Sequence, residues 1–269
     1  MDKARLEPFL KWPGGKRQLS PDLLHIAPRE FKRYFEPFLG SGAMFFALQP
    51  DRAVLADSNS QLIECYRQVK DNCDGVLSEL RKLKNSPTEY YRIRASDPRE
   101  SAARAARLIY LVKLAFNGIY RVNRSTGRFN VPYGNHTERD VFDEDRLRVA
   151  SDALRHARIQ PGDFSETVAR ASAGDLVYLD PPYTLAHSNN GFVRYNQRLF
   201  SWADQVRLAK CALRLADRGV HVMVSNAPHS SILRLYPGFG RKRLVRGSQI
   251  AANPEFRGSV TELVLTANI

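Results

Sequence analysis

Val177-Tyr178-Leu179-Asp180-Pro181-Pro182-Tyr183 is an apolar run that ends abruptly in Asp-Pro-Pro-Tyr. Val177 to Leu179 read as a short buried strand, and two successive prolines cannot continue one. Pro181 biases Asp180 towards an extended backbone, and Pro182 does the same to Pro181. A carboxylate and a phenol are thereby delivered at the carboxyl end of a strand, on a stiff turn. Neither proline has an amide hydrogen, so carbonyl oxygens dominate the local backbone. In open α/β sheets ligands bind at such strand ends. The turn suits an amino group that donates hydrogen bonds, with an aromatic plate beside it. A proline-rich surface turn is the alternative, and the rest of the chain decides between them.

The chain has 269 residues, enough for a full core in one or two domains. Its hydrophobic fraction of 43% is ordinary, but its net charge of +13 is not. A surface this basic favours a polyanion, either nucleic acid or an anionic membrane. No run approaches the roughly 18 apolar residues of a membrane span, and Met1-Asp2-Lys3 opens no signal peptide. Nucleic acid is therefore favoured and no membrane association is expected. Cys65, Cys73 and Cys211 show no CxxC spacing, which reads as free thiols of a cytoplasmic protein with no metal site.

Two further turns lie towards the N-terminus. Lys11-Trp12-Pro13-Gly14-Gly15-Lys16 is a tight turn between an indole and two cations, ahead of a helix expected over Leu19 to Ile26. Tyr34-Phe35-Glu36 reads as a strand entering Gly40-Ser41-Gly42, followed by an apolar helix over Ala43 to Leu48. Ala53 to Asp57 then reads as a second strand ending in an acid. A βαβ unit with an acid at that point grips ribose hydroxyls. The three-glycine fingerprint and the P-loop lysine are both missing. A nucleoside-like cofactor without a phosphate chain fits better than a dinucleotide or a nucleoside triphosphate.

From Asn59 to about Ala150 the pattern becomes helical, with helices expected over 60–69, 75–83 and 101–116. Gly118 to Asn123 and Gly127 to Tyr133 read as two strands of a hairpin. Arg92, Arg94, Arg99, Arg104, Arg107, Lys113, Arg121, Arg124 and Arg128 stand here against only Asp97 and Glu100, with Phe116, Tyr120 and Phe129 interleaved. Arginines and aromatics on a ribbon can read base edges, hold phosphates and wedge a duplex. After Ser151 the α/β rhythm returns, with strands at 159–164, 176–179, 220–224 and 263–265 and a helix over 202–218. The polar stretches Leu185 to Arg198 and Gly247 to Gly258 read as mobile loops. No histidine has the partners of a hydrolase triad.

Lys11-Trp12-Pro13-Gly14-Gly15-Lys16, Glu36-Pro37-Phe38-Leu39-Gly40-Ser41-Gly42, Leu55-Ala56-Asp57-Ser58-Asn59 and Asp180-Pro181-Pro182-Tyr183 occur in that order. Together they resemble the Dam family of DNA adenine-N6 methyltransferases, in its α-type motif order. Phe116-Asn117-Gly118-Ile119-Tyr120-Arg121 and Gly127 to Gly134 are similar to that family's target-recognition hairpin. The resemblance covers nearly the whole chain.

It implies an α/β fold: a Rossmann-like, doubly wound methyltransferase sheet with an inserted helical and β-hairpin recognition domain. Residues 1–58 and 150–269 would form the catalytic domain, and 59–149 the DNA-binding domain. S-adenosylmethionine is the implied cofactor, with Trp12, Lys16, Asp57 and Asp180 at cofactor-binding positions. Glu36, Gly40 and Gly42 would approach its methionine end, and Asp163 and Phe164 its adenine. Asp180, Pro181, Pro182 and Tyr183 would be catalytic, acting on the N6 of an adenine flipped out of duplex DNA. Lys11, Phe116, Asn117, Ile119, Arg121, Arg124 and Arg128 would contact DNA, Phe116 by intercalation and Arg121 by reading a guanine. A GATC target rests on Arg121, Lys11 and Ile119. The same resemblance implies a bacterial or phage protein, cytoplasmic and nucleoid-associated, monomeric, with a cognate restriction endonuclease as a candidate partner. RNA-base or protein methylation is the alternative, since Asp-Pro-Pro-Tyr sites also serve those substrates.

Overall fold

The computed structural model describes residues 6–123, 125–137, 140–184, 200–247 and 259–269. Arg124 and the loops expected at 185–198 and beyond Gly247 lie outside them. The chain forms two compact units. One comprises Met1–Arg17, Gly40–Gln49 and Asp57–Pro161, and the other Gln18–Leu39, Pro50–Ala56 and Gly162–Ile269.

Seven strands form one sheet in the order β3-β2-β1-β4-β5-β7-β6. They are β1 Tyr34–Glu36, β2 Ala53–Asp57, β3 Ala157–Pro161, β4 Leu176–Leu179, β5 His221–Asn226, β6 Gly240–Gly247 and β7 Ser259–Ala267. β1 runs parallel to both β2 and β4, and β4 parallel to β5, while β7 is antiparallel to β5 and β6. From β1 the chain builds outward through β2 and β3, then returns to β4 and builds the other way. The order therefore reverses between β1 and β4, where α/β sheets bind ligands. Glu36 ends β1, and Asp180 follows β4 directly.

Alternation along the strands sorts the second unit's side chains. Phe35, Val177, Leu179, Val222, Val224, Leu263 and Leu265 are buried in one apolar cluster with Phe164, Leu208, Ala212 and Leu215. Phe164 opens α8 (Phe164–Thr167), and the other three lie on α9 (Trp202–Asp217), the helix expected over 202–218. Ser201 and Asp204 cap α9 reciprocally in a capping box. The opposite strand positions carry Tyr34, Glu36, Tyr178, Ser225 and Glu262, all buried. The short α10 spans Ser230–Leu235, and β6 turns the basic stretch Arg241-Lys242-Arg243 into an edge strand that the sequence pattern did not show.

The first unit is mainly helical. Besides α2 (Ala43–Leu48) it holds α3 (Ser60–Asp71), α4 (Cys73–Leu80), α5 (Pro87–Ala95), α6 (Ser101–Leu114) and α7 (Glu144–Leu154). Asn59 caps α3 by accepting from the amides of Gln61 and Leu62. Arg67 and Lys70 on α3 donate to the carbonyls of Ile159 and Ala157 on β3. The sequence pattern missed α5, whose alternation of arginine with tyrosine and isoleucine hides its helical stripe. It also carried α6 two residues too far, since Phe116 to Gly118 form a separate 3₁₀ turn.

One expectation needs correction. The hairpin strands over 118–133 reduce to two isolated antiparallel bridges, Ala115 to Tyr133 and Val122 to Phe129. The amides of Asn123 and Asn130 donate across the ribbon to the carbonyls of Arg128 and Arg121, while the Asn123 side chain takes the turn amides of Ser125 and Thr126. Arg92 pairs with Glu89 and Arg104 with Glu64, while Arg94 and Arg107 donate to backbone carbonyls. Among the described residues no helix is long and apolar enough to cross a membrane.

In the second unit Arg33 holds the fully buried Asp175 side chain through two bonds of 3.1 and 2.6 Å. Burial works against the Asp175 carboxylate, but Arg33 and Ser172 hold its pKa below the ordinary 3.8. Arg33→Ala is expected to destabilise the protein by about 2–4 kcal/mol at pH 7. A depressed carboxyl pKa contributes stability above its unfolded value and loses it as pH falls through the folded one. Urea denaturation should therefore show a smaller difference between variant and wild type at pH 3 than at pH 7.

Candidate active site

In the second unit, Asp180 to Tyr183 leave β4 as a turn fixed from below. The Pro182 carbonyl accepts from Gln205 Nε2 at 3.2 Å, and Asn226 Nδ2 donates to Gln205 Oε1 at 3.1 Å. Gln205 and Asn226 are both fully buried, so α9 and the end of β5 hold the turn's second proline. Thr184 closes the turn by donating to the Phe200 carbonyl at 2.6 Å. Among the described residues nothing donates to the Pro181 carbonyl. The expected acceptor pair, the Asp180 carboxylate and the Pro181 carbonyl, thus comes from a turn that the protein has already made rigid.

The phenol of Tyr183 lies near two carboxylates. Its hydroxyl is 3.4 Å from Asp180 Oδ1, and the negative charge of Glu262 also bears on it. Burial, then the negative charges of Asp180 and Glu262, push its pKa well above the usual tyrosine value. On the same side of the sheet, Tyr34 donates to Glu36 Oε2 at 2.9 Å and Tyr178 pairs with Ser225 Oγ at 2.9 Å. Burial raises both of these phenols too, with Glu36 acting on Tyr34 and Asp180 on Tyr178. The phenols there remain neutral donors.

Asp163 and Phe164 also lie in this unit. Asp163 caps α8 and takes two bonds from Arg207, at 2.9 and 2.8 Å. Burial opposes the charge on Asp163, but Arg207 and Ser165 hold its pKa below the ordinary carboxylate range. The guanidinium of Arg207 lies 4.3 Å from the Phe164 ring centroid, and Phe38 stacks on Phe164 at 5.6 Å. Phe164 is therefore buried core, and Phe38 is the half-buried ring of that pair.

The first unit collects the other motifs. Gly40 and Gly42 adopt left-handed backbone, with φ of +48° and +66°. A Cβ on Gly40 would come within 3.1 Å of the Trp12 indole, so glycine is required there on both counts. Asp57 accepts the Gly40 amide at 3.1 Å and the Asn59 amide at 2.9 Å. Burial pushes the Asp57 carboxyl up, and the amides of Asn59, Gly40 and Ser58 pull against that. Each carboxylate oxygen keeps a further lone pair for a hydroxyl donor. Tyr66 donates to the Gly40 carbonyl, and buried Lys16 donates to that of Gly14.

Trp12 stacks on Tyr120, centroids 4.7 Å apart at 28°. Tyr120 also meets Phe129 at 5.8 Å and donates to Gln61. The Lys11 stem covers Gly118, where a Cβ would meet Lys11 Cε at 2.3 Å. Asn117 and Gly118 both have positive φ, the kink that leaves Phe116 45% exposed. Arg121 and Arg128 are exposed, Ile119 is half-buried, and Arg121 Nε donates to Asn130 at 2.8 Å. The expected DNA-contacting residues Lys11, Phe116, Asn117, Ile119 and Arg121 are thus neighbours.

Asp57 in the first unit and Glu36 in the second each offer acceptors to hydroxyl or ammonium donors, chemistry that fits a cationic cofactor without phosphates. Among the described residues no group of three or more His, Cys, Asp or Glu is placed to hold a metal ion. Sequence reasoning overlooked Glu262, Gln205 and Arg207. Glu262 alone left a signal, as the one acid inside the apolar run Val260 to Leu265.

Residues 12–249 match the family model of D12 class N6 adenine-specific DNA methyltransferases. The chain belongs to that family and is an adenine-specific DNA methyltransferase, a class that uses S-adenosylmethionine. It is 39% identical to Type II methyltransferase M1.LlaDCHI of Lactococcus lactis subsp. cremoris, over 98% of this chain and 96% of that one. It is 35% identical to Type II methyltransferase M.MjaIII of Methanocaldococcus jannaschii, over 89% and 91%. A DNA adenine methylase of Haemophilus influenzae is 32% identical, over 97% and 94%.

Arg207→Ala frees both Asp163 and the Phe164 ring from one cation. Loss of about 1 kcal/mol is expected for a half-exposed pair of this kind. Isothermal titration with S-adenosylmethionine should show its Kd rising about fivefold, with the melting temperature changed little.

Proposed function

We propose that the chain methylates the N6 of an adenine extruded from duplex DNA, with Asp180 to Tyr183 holding the amino group. The observation that carries this is the turn's place at the sheet's point of reversal, with one pinned proline carbonyl and acceptors ahead of it. N6 is a poor nucleophile because its lone pair is delocalised into the ring. The Asp180 carboxylate and the Pro181 carbonyl accept its two hydrogens and steer the lone pair out of conjugation, while Tyr183 offers a ring face to the base. Flipping costs a few kcal/mol of unstacking, which Phe116 offsets by filling the gap.

When bound, S-adenosylmethionine supplies an electrophilic methyl group on a sulfonium. Asp57 would hold its ribose hydroxyls, Glu36 with the Gly40 to Gly42 turn its methionine end and Asp163 its adenine, with Trp12, Lys16 and Asp180 at further cofactor-binding positions, while Phe164 backs the site from the core. Residues 1–58 and 150–269 would act as the catalytic domain and 59–149 as the recognition domain. Lys11, Asn117, Ile119, Arg124 and Arg128 would join Arg121 on DNA, and Arg121 would read a guanine of a GATC-like site. A monomeric cytoplasmic enzyme fits this chemistry, either solitary or serving beside a restriction endonuclease.

Tritiated methyl transfer to duplex DNA, with structured RNA and protein as competing substrates, tests the substrate class. Label in DNA alone is expected, and label in RNA or protein alone would overturn it. Asp180→Ala should lower kcat at least a hundredfold while duplex affinity stays within a few-fold. Turnover near wild type would remove Asp180 from the mechanism. Arg121→Ala should reduce discrimination at one base pair by roughly 1–3 kcal/mol, with nonspecific affinity held by phosphate contacts. Methylation rates on single-base-substituted duplexes measure this directly.

A further inference from the structure

β6 is the last strand of the sheet, and among the described residues no further strand covers its outer edge. Arg241, Lys242 and Arg243 follow one another along it, and all three are exposed. Alternation sends Arg241 and Arg243 to one side of the strand, about 7 Å apart, and Lys242 to the other. Opposite them on β7 stand Leu265, Val264 and Leu263, while the one acid of β7, Glu262, is buried and faces Leu244. Arg33 and Arg207 of the same unit sit on Asp175 and on Asp163 with Asp204. Among the described residues no acid or carbonyl meets the side chains of Arg241, Lys242 or Arg243. Three like charges with no acid between them make a local positive field.

The register of the sheet fixes where this edge lies. Leu179 pairs with Val224, Val224 with Leu265, and Leu265 with Arg241, so Arg241 is level with the residue before Asp180. β7 is antiparallel to both its neighbours, so β6 runs the same way as β5 and β4. Lys242 and Arg243 therefore lie beyond that level, towards the end of the sheet at which Asp180 leaves β4. Three inter-strand spacings, about 14 Å, separate β6 from β4. That length is about four base-pair steps of a duplex. We propose that Arg241, Lys242 and Arg243 hold phosphates of the duplex flanking the target adenine, about four steps to one side of it. Guanidinium and ammonium groups meet phosphate oxygens there and release counterions, whatever the sequence. The edge extends the grip on DNA beyond the residues that read bases. This role rests on the proposed action of Asp180 to Tyr183 on an adenine of duplex DNA.

The test compares wild type with the triple variant Arg241→Gln, Lys242→Gln, Arg243→Gln and with the charge-retaining pair Arg241→Lys, Arg243→Lys. Fluorescence anisotropy reads Kd across a salt series, and methylation assays read kcat and sequence discrimination. Each duplex carries one target adenine in the motif found by methylation mapping. One has long flanks, and two are trimmed to about two base pairs beyond the adenine on one side or the other. On the long duplex the glutamine variant should raise Kd at least about tenfold and flatten the slope of log Kd against log salt by about 2 to 3. Its kcat at saturating DNA and its discrimination should stay within about twofold, and the lysine variant should bind like wild type. On one trimmed duplex the glutamine variant and wild type should bind alike. Melting temperatures confirm folding, and should the triple variant misfold, Arg241→Gln and Arg243→Gln singly should each remove about one unit of salt slope. A wild-type Kd and salt slope in the glutamine variant would overturn the proposal and leave the charges as guards against strand pairing at the edge. An equal loss on all three duplexes would overturn it as an effect of net charge alone. Absence of methyl transfer by the wild type would instead overturn the reading of Asp180 to Tyr183 on which it rests.

Discussion

Parallel pairing between β1 and β4 is the contact on which the rest depends. Phe35 pairs with Val177 across it, and the chain leaves the two strands towards opposite edges of the sheet. Glu36 ends β1 and Asp180 follows β4 directly, so both lie at the carboxyl ends of this pair. Everything chemical about the second unit is a consequence of that reversal. The prolines after Asp180 would break an ordinary strand; here they end one at the only place where an ending is useful.

The two sides of the sheet have divided the work. Phe35, Val177, Leu179, Val222 and Val224 pack into apolar core with α8 and α9, and this burial is the main source of stability, at about 25 cal/mol per Å² of apolar surface. The opposite positions carry phenols and acids in pairs, each phenol with a hydroxyl or carboxyl partner. Burial and neighbouring negative charge keep those phenols protonated. Such a surface gathers acceptors around one spot, as a nucleophile that acquires positive charge requires.

Much of this was legible in the sequence. The strand before Asp180, the Gly40 to Gly42 turn entering a helix, Asp57 at the end of β2 and the helix after Ser201 all match the structure, because each is fixed by local pattern and punctuation. The ribbon after Phe116 was harder, since it pairs through isolated bridges, Ala115 to Tyr133 and Val122 to Phe129, rather than through regular strands. Charge density in sequence does not reveal the local partners of the run from Arg92 to Arg107, which are Glu64, Glu89 and backbone carbonyls. Gln205 and Arg207 act at a distance in sequence from what they hold. Only the packing of α9 brings Gln205 to the Pro182 carbonyl and Arg207 to Asp163.

The central claim is that this turn serves an adenine in duplex DNA. Single-molecule sequencing of DNA from cells that express the chain and lack other adenine methylation tests it most directly. N6-methyladenine at one short motif, and its disappearance with Asp180→Ala, is the expected result. DNA free of N6-methyladenine from cells containing soluble, folded protein would contradict it.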